Sequence, residues 1–335
     1  MPLSPQEFQL VSRQAILGLD FYLTIKSQFA TCINRSIELA KTRGLDSLNA
    51  ITPQTYVFPG DFEKWRVAAS DLDKIWISKP GDGARGEGIY LVTDTVAVMP
   101  QHNIVLQEYI KNPHLIHGYK YTLRVYVAVT SLDPLRAWVF PDGIVKLATQ
   151  KFSASQDSLD NLFIHLTNPE VLNKDTSVDF TTQRMTHADF RKHLKSMDCN
   201  DTRLFQDIHA VIAKSLLAVR EPTLQLQQQN SHARKDVDEQ FMLLGYDILV
   251  DDTMRPWVIE VNAGPSLKDD AGDTEIGHRE REIKHRVATD MLVLAGKLRK
   301  ADVAFEPLFP SSKMSEWLPY YEVVRKSDRA DLGLE

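Results

Sequence analysis

From Pro53 onward, short apolar runs alternate with polar turns. Thr55 to Phe58 (TYVF) predicts a strand, Phe62 to Leu72 a short helix, and Ile75 to Lys79 a strand ending in a glycine-rich turn. Two more apolar runs follow, Ile104 to Ile110 and Tyr121 to Val129, and Pro141-Asp142-Gly143 gives a hairpin signal. Residues 185–221 predict helix, with Phe190, Leu194, Leu204, Ile208, Val211, Ile212 and Leu216 at helical spacing. The Gln-rich stretch 224–236 is expected to be an exposed loop. FMLLGYDILV and RPWVIEVNAG predict two strands, and residues 278–300 a helix rich in Arg and Lys. Before Pro53 the periodicity is looser, with Ile16, Leu19, Leu23, Ile33, Ile37 and Ala40 three or four apart and no chemical signature. Residues 301–335 have no clear periodicity, and no segment repeats.

Composition narrows the class. With 43% apolar residues among 335, the chain can fill a sizeable core, and 25% charged residues with 15 Gly and 16 Pro exclude collagenous or wholly disordered readings. A balance of 39 basic against 45 acidic side chains argues against a protein that coats nucleic acid. Cys32 and Cys199 are too few for a disulfide framework and fit a reducing compartment. No basic stretch followed by an apolar one opens the chain, and no run reaches about 18 apolar residues. A cytoplasmic, soluble protein with no nucleic-acid or membrane partner is the expectation.

Three segments carry candidate chemistry. In the first, a strand delivers Lys79, and Gly81, Gly83, Arg85, Gly86 and Gly88 follow. Glycines admit backbone N–H groups to phosphate oxygens, and flanking cations add charge. The ending is not that of a Walker loop, and a plain hairpin turn has the same composition. In the second, strand alternation places Lys120, Thr122 and Arg124 on one face and Tyr121, Leu123, Val125 and Val127 on the other, a pattern shared with an ordinary solvated sheet face.

The third is the pair of strands around Asp251. If a symmetric even turn sets Val250 opposite Arg255, Asp247 opposes Val258, and Glu260 and Asn262 share the face of Asp247. Two carboxylates and an amide oxygen are hard ligands suited to Mg²⁺, whose other positions water and phosphate fill. An exposed polar hairpin face is the alternative, though Ile248, Val250, Val258 and Ile259 crowd both strands.

In this order, WISKPGDGARGEGIYLV, VLQEYI, YTLRVYVAVTSLDPLRAWVFPDGIVKLAT, FIHLTN, FMLLGYDILVDD and PWVIEVNAGPSL resemble the tubulin-tyrosine ligase-like family of ATP-grasp enzymes. TSLDPLR and DGIVKLAT look most like its glutamate-chain-forming branch, and the resemblance covers about residues 52–296. It implies an α+β ATP-grasp fold, two lobes around a nucleotide cleft: a divergent segment 1–50, one lobe over 51–118, a second with the metal hairpin over 119–300, and a tail 301–335. It further implies ATP and Mg²⁺ as cofactors, and transfer of L-glutamate to glutamate side chains of a protein with an acidic tail, tubulin or a similar one. A carboxylate is first converted to an acyl phosphate, which an amine then attacks. The expected form is a monomer in the cytoplasm, associated with the cytoskeleton.

By the same resemblance, Lys79 and the loop with Arg85, Gly86 and Gly88 hold the phosphates, and Gln107, Glu108, Tyr109 and Ile110 form the adenine hinge, with Lys120 nearby. Thr122 lies at a nucleotide or metal position and Asp247 serves both nucleotide and metal. Asp247, Glu260 and Asn262 are the metal ligands, and Arg124, Lys146 and Glu260 the catalytic groups. His165 and Asn168 belong to the HLTN signature, structural or adjacent to substrate. Two positions depart from the family: Thr122 replaces an Asp, and Lys146 replaces an Arg and loses its bidentate fork. Those departures also fit a nucleotide-binding homologue that has lost catalysis. Glycine, tyrosine or a non-tubulin acceptor are the other ligase readings.

Overall fold

The computed structural model describes residues 16–42, 51–83, 85–178, 183–230, 240–267, 273–296 and 303–308. Two helices open it, α1 (Leu19–Thr24) and α2 (Lys26–Lys41). A four-stranded antiparallel sheet follows, built from β1 (Thr55–Phe58), β2 (Trp76–Pro80), β3 (Tyr90–Val92) and β4 (Ile104–Glu108) in the order β1-β4-β2-β3, with α3 (Phe62–Ala68) after β1. Its faces are both covered because its strands are apolar on both sides: Tyr56, Phe58, Trp65, Trp76 and Leu106 pack on one, and Ile77, Leu91 and Tyr109 meet Leu159, Leu166 and Val171 on the other.

The second sheet is larger. After β5 (Leu115–Ile116), the long strands β6 (Tyr119–Leu132) and β7 (Leu135–Leu147) pair antiparallel. Short helices α4 (Leu162–His165) and α5 (Pro169–Leu172), strand β8 (Arg184–Thr186), and helices α6 (His187–Ser196) and α7 (Asp201–Gln229) come next. Strands β9 (Met242–Val250) and β10 (Pro256–Ala263), helix α8 (Glu275–Leu294) and β11 (Glu306–Pro307) complete it, in the order β10-β9-β6-β7-β11. Alternation decides what each strand buries. Leu123, Val125, Val127, Leu244, Tyr246 and Ile248 face a core shared with α6 and α7, whereas Tyr126, Ala128 and Leu243 face α8. The expected α+β class is what forms.

Several expectations need correction. Pro141-Asp142-Gly143 is not a turn but a bulge inside β7: Val125 pairs with Gly143 and Val127 with Val139, so two steps on β6 match four on β7. The β6–β7 turn falls at Asp133-Pro134, between the paired Leu132 and Leu135. Gly143 must be glycine there, because a Cβ would stand 2.3 Å from the Arg124 carbonyl oxygen. The helix expected over 185–221 is two helices, broken before Asn200, whose side chain caps α7 by accepting from Arg203 N. Residues 224–229 of the Gln-rich stretch are helical, since α7 continues past Pro222 and Leu224 packs on the core; 231–236 lie outside the described residues. Helix α8 starts at Glu275, capped by Thr274, three residues before the expected 278.

Candidate active site

A cleft between the two sheets is lined from both. From the smaller sheet come Lys79 and Gln107 to Ile110, from the larger Lys120, Thr122 and Glu260, from α2 Lys26, and from the α4–α5 segment His165 to Asn168. Strand parity aims the lysines inward. Lys79 is buried and donates to Gln107 Oε1 at 2.7 Å, and Gln107 Nε2 donates to Thr55 Oγ1 at 2.9 Å. Buried Lys120 donates to the Tyr109 hydroxyl at 2.9 Å. Burial pulls the Lys79 ammonium down to about 8, against the attraction of Glu260. Burial and the neighbouring Lys79 bring Lys120 down to about 7. Thr122 Oγ1 meets Thr167 Oγ1 at 2.7 Å, both buried.

The hinge backbone is largely engaged: Glu108 N donates to Gln54 O and Tyr109 N to Ile75 O, both at 2.8 Å. The Ile110 N–H is left without a partner among the described residues. The Glu108 carboxylate pairs with Lys74 at 3.0 Å.

The β9–β10 hairpin brings its acidic residues together by a route other than the expected one. Its loop is odd, Pro256 opposing Val250 and Val258 opposing Ile248, so a regular ladder would turn Glu260 into the core with Val258. A bulge between Val258 and Glu260 reverses that parity and sets Glu260 directly across from Asp247, with Asn262 across from Gly245. Val258 and Val261 then both enter the core, while Ile259 and Glu260 line the cleft. Asn262 Nδ2 lies 3.5 Å from Asp247 Oδ2.

Asp247 sits under two cations. Arg124 grips it in a fork, Nε to Oδ1 at 2.8 Å and Nη2 to Oδ2 at 2.9 Å, and Lys146 Nζ donates to Oδ1 at 3.0 Å. Burial opposes its charge, yet Arg124 and Lys146 hold the carboxyl well below the usual range. Burial and the adjacent Arg124 lower the Lys146 ammonium. The fork depends on Gly245: a Cβ there would stand 3.0 Å from Arg124 Cδ and 2.8 Å from Pro265 Cβ.

The sequence profile of the tubulin-tyrosine ligase family matches residues 17–296. The chain belongs to this family. It is 31% identical over 253 residues to tubulin polyglutamylase ttll6 of Danio rerio, 73% of this chain and 31% of that protein. It is 30% identical over 259 residues to tubulin polyglutamylase TTLL7 of Xenopus tropicalis, 73% of this chain and 27% of that protein. With human tubulin monoglutamylase TTLL4 the identity is 32% over 252 residues, 73% of this chain and 20% of that protein. The chain thus spans about a third or less of the length of these curated relatives. Its antiparallel sheets agree with the ATP-grasp-like fold of the tubulin-tyrosine ligase family.

Against the residues that the family resemblance singles out, the structure gathers Lys79, Gln107, Glu108, Tyr109, Ile110, Lys120, Thr122 and Glu260 around one cleft. Arg124, Lys146, Asp247 and Asn262 lie beside it on the same sheet face, Lys146 across from Thr122 and Asp247 across from both Glu260 and Arg124. Arg85 is exposed in the turn between β2 and β3, and neither it, Gly86 nor Gly88 lines the cleft; Gly86 lies against Asn168 and Val171. On α8, Arg279 pairs with Asp189 at 2.6 Å and Lys284 with Glu280 at 2.9 Å. Lys26 was missed by motif reading. It sits on a helix with no signature of its own, and its Nζ is 2.7 Å from Glu260 Oε1.

The donor set suits a divalent cation best in company. Among the described residues no three His, Cys, Asp or Glu side chains form a metal-holding group. Asp247 and Glu260 already face Arg124, Lys146 and Lys26, three cations against two carboxylates. Added positive charge is therefore held weakly by the protein alone and more tightly with added negative charge. Two opposed carboxylates, with the Asn262 amide turned to present its oxygen in place of Nδ2, fit Mg²⁺ that arrives with phosphate oxygens as further ligands. Among the described residues no helix is long and apolar enough to cross a membrane.

Proposed function

We propose that this chain is the ligase unit of an ATP-dependent carboxylate-amine ligase, joining L-glutamate to glutamate side chains of a protein acceptor with an acidic tail, tubulin or one like it. One observation carries this reading: buried Lys79 and Lys120, with Lys26, meet Glu260 in a single cleft, and Asp247 stands directly across from Glu260 on the same hairpin. Buried ammonium groups are unfavourable until an anion joins them, and a triphosphate with its metal supplies that anion. The names of the relatives, tubulin polyglutamylases and a tubulin monoglutamylase, support glutamate and tubulin as the pair of substrates.

MgATP, when bound, supplies the phosphoryl group that turns a carboxylate into an electrophile for an amine. The residues of this chain arrange that event. Asp247, Glu260 and Asn262 would hold Mg²⁺; Lys79, Lys120 and Thr122 would meet the nucleotide, and the Ile110 N–H would meet its base. Arg124 Nη1 and the two other N–H groups of Lys146 have no partner among the described residues, so both side chains can hold Asp247 and still receive a substrate carboxylate. Fixed cations of this kind contribute about 3 to 4 kcal/mol each to a transition state that gathers oxyanion charge.

Incubation with MgATP, labelled glutamate and tubulin tests the reading: label enters the acceptor, and Glu260→Gln stops it. Label from glycine or tyrosine in its place would redirect the assignment within the family. A second reading, a nucleotide-binding homologue without catalysis, is favoured by the neutral Thr122-Thr167 hydroxyl pair at a position where the family carries an acid. It predicts nucleotide binding without ADP release that depends on an amino acid.

A further inference from the structure

Lys26 belongs to none of the cleft's motifs, yet one nitrogen of it joins both sides. It opens α2, directly after Ile25 in extended backbone. Its Nζ lies 2.7 Å from Glu260 Oε1 on the larger sheet, and donates at 2.7 Å to the carbonyl oxygen of Gly83 in the glycine-rich turn of the smaller one. The helix start is fastened independently, since Ser27 N donates to Gly81 O at 3.3 Å and Phe29 enters the core. The side chains of Lys26 and Glu260 are only 11% and 18% exposed, so solvent screens this pair far less than a surface pair. Glu260 forms no other salt bridge among the described residues, because Arg124 and Lys146 turn to Asp247.

We infer that Lys26 is the resident counter-ion of Glu260 and competes with a divalent cation for that carboxylate, and that its ammonium, held at Gly83, serves as a third phosphate-binding lysine beside Lys79 and Lys120. The second half rests on the nucleotide reading above; the first does not. The chemistry is economical in charge. A flexible four-carbon stem lets the ammonium leave Glu260 without moving α2, and the carbonyl of Gly83 keeps it at the glycine-rich turn. A purely structural strut would hold loop and hairpin together, and its removal would loosen every ligand alike.

The test separates these roles. Mn²⁺ binding to the nucleotide-free protein is measured by electron paramagnetic resonance, and binding of N-methylanthraniloyl-ADP with Mg²⁺ by fluorescence. Lys26→Met, which keeps the stem, is expected to bind Mn²⁺ about fivefold more tightly or better, the low end of ordinary coupling between sites, and the nucleotide at least fivefold more weakly. Lys26→Arg is expected to restore both towards wild type, and Glu260→Gln in the Lys26→Met background to remove the gain in Mn²⁺ affinity. Lys26→Gln gives a second neutral variant, and thermal melts check that each protein is folded. Mn²⁺ binding by both neutral variants that is unchanged, weaker or undetectable overturns the competition. Unchanged nucleotide affinity overturns the phosphate role. Failure of the wild type to bind the nucleotide overturns the ligase reading, and the Mn²⁺ comparison still decides the first half.

Discussion

The ammonium of Lys120 donates to the hydroxyl of Tyr109 at 2.9 Å and stands 4.2 Å from the centre of that ring. The hydroxyl also meets His165 Nδ1 at 2.9 Å, while His165 Nε2 meets the carbonyl oxygen of Ser158 at 2.9 Å. A carbonyl only accepts, so Nε2 carries the proton and Nδ1 accepts from the tyrosine. The chain therefore runs one way, from Lys120 through Tyr109 and His165 to Ser158. Tyr109→Phe breaks it at the centre and leaves a buried ammonium hydrogen and a buried imidazole nitrogen unpaired. The expected loss is about 1 to 3 kcal/mol of folding stability, read by urea denaturation, with a rise in KM for ATP larger than any fall in kcat.

On the nucleotide reading, the two buried lysines make binding a proton-linked event. Lys120 and Lys79 lie at about 7 and about 8 in the free protein because burial disfavours their charge. A bound anion raises both, so the complex takes up protons. Affinity is then full below the free-protein values and falls as pH rises through about 7 to 8, by up to about tenfold per unit for each lysine. The same depressed values make both lysines unfavourable to folding at neutral pH and below, a cost lifted as pH rises towards the unfolded value. Calorimetry with ADP in buffers of different ionisation enthalpy checks the uptake; no proton linkage between pH 6.5 and 9 would contradict it.

What the sequence disclosed about this cleft, and what it hid, follows from the range of the forces involved. The parity of β6 is a local property, and Lys120, Thr122 and Arg124 do share one face. The pairing of Asp247 with Glu260 is not local. It depends on a bulge at Ile259, and that irregularity follows from Val258 and Val261 both entering one core, which only the packed fold reveals. Pro141-Asp142-Gly143 has the composition of a turn and forms a bulge for a similar reason: its place in β7 is set by pairing with β6. Lys26 could not be found at all from spacing, since its partners are 57 positions away at Gly83 and further still at Glu260.

Asp247 is the counter-charge for two buried cations, and its loss should be felt as stability before it is felt as chemistry. Asp247→Asn leaves Arg124 and Lys146 facing each other without an anion. The expected cost is about 3 kcal/mol, the low end for breaking a buried ion pair because Arg124 and Lys146 keep some solvent contact. The carboxyl is depressed in the fold, so its contribution is present above the unfolded value near 4 and disappears as pH falls through the lower folded value. Urea titrations at pH 7 and in acid should show the wild type and Asp247→Asn converging at low pH.

Gly245 tests the geometry of the Arg124 fork without touching a charge. A methyl group there would press on Arg124 Cδ at 3.0 Å and Nε at 3.2 Å, and on Pro265 Cβ at 2.8 Å. The guanidinium must shift by a few tenths of an ångström, which spoils a two-point contact more than it unfolds a sheet. Gly245→Ala is expected to lower kcat by about tenfold, well within what small misplacements cost, while destabilising by about 1 kcal/mol. Parallel measurement of kcat and the urea midpoint decides; a loss of stability with kcat intact would show that the fork is not used.

Thr122 offers the sharpest contrast between the ligase and a silent homologue. Its hydroxyl is buried against Thr167, on the strand face that presents Lys120 two residues before it and Arg124 two residues after it. Same-face neighbours on a strand are about 7 Å apart, so an aspartate here would enter a cationic surround with the Thr167 hydroxyl ready to donate to it. Thr122→Asp should therefore fold, with stability within about 1 kcal/mol of wild type, where an unpaired buried carboxylate would cost several. Its effect on turnover separates the two readings. If the neutral pair limits catalysis, Thr122→Asp raises kcat for glutamate transfer, and Thr122→Asn, with shape but no charge, does not. Equal rates for wild type and Thr122→Asp would mean that the two hydroxyls already serve in place of an acid.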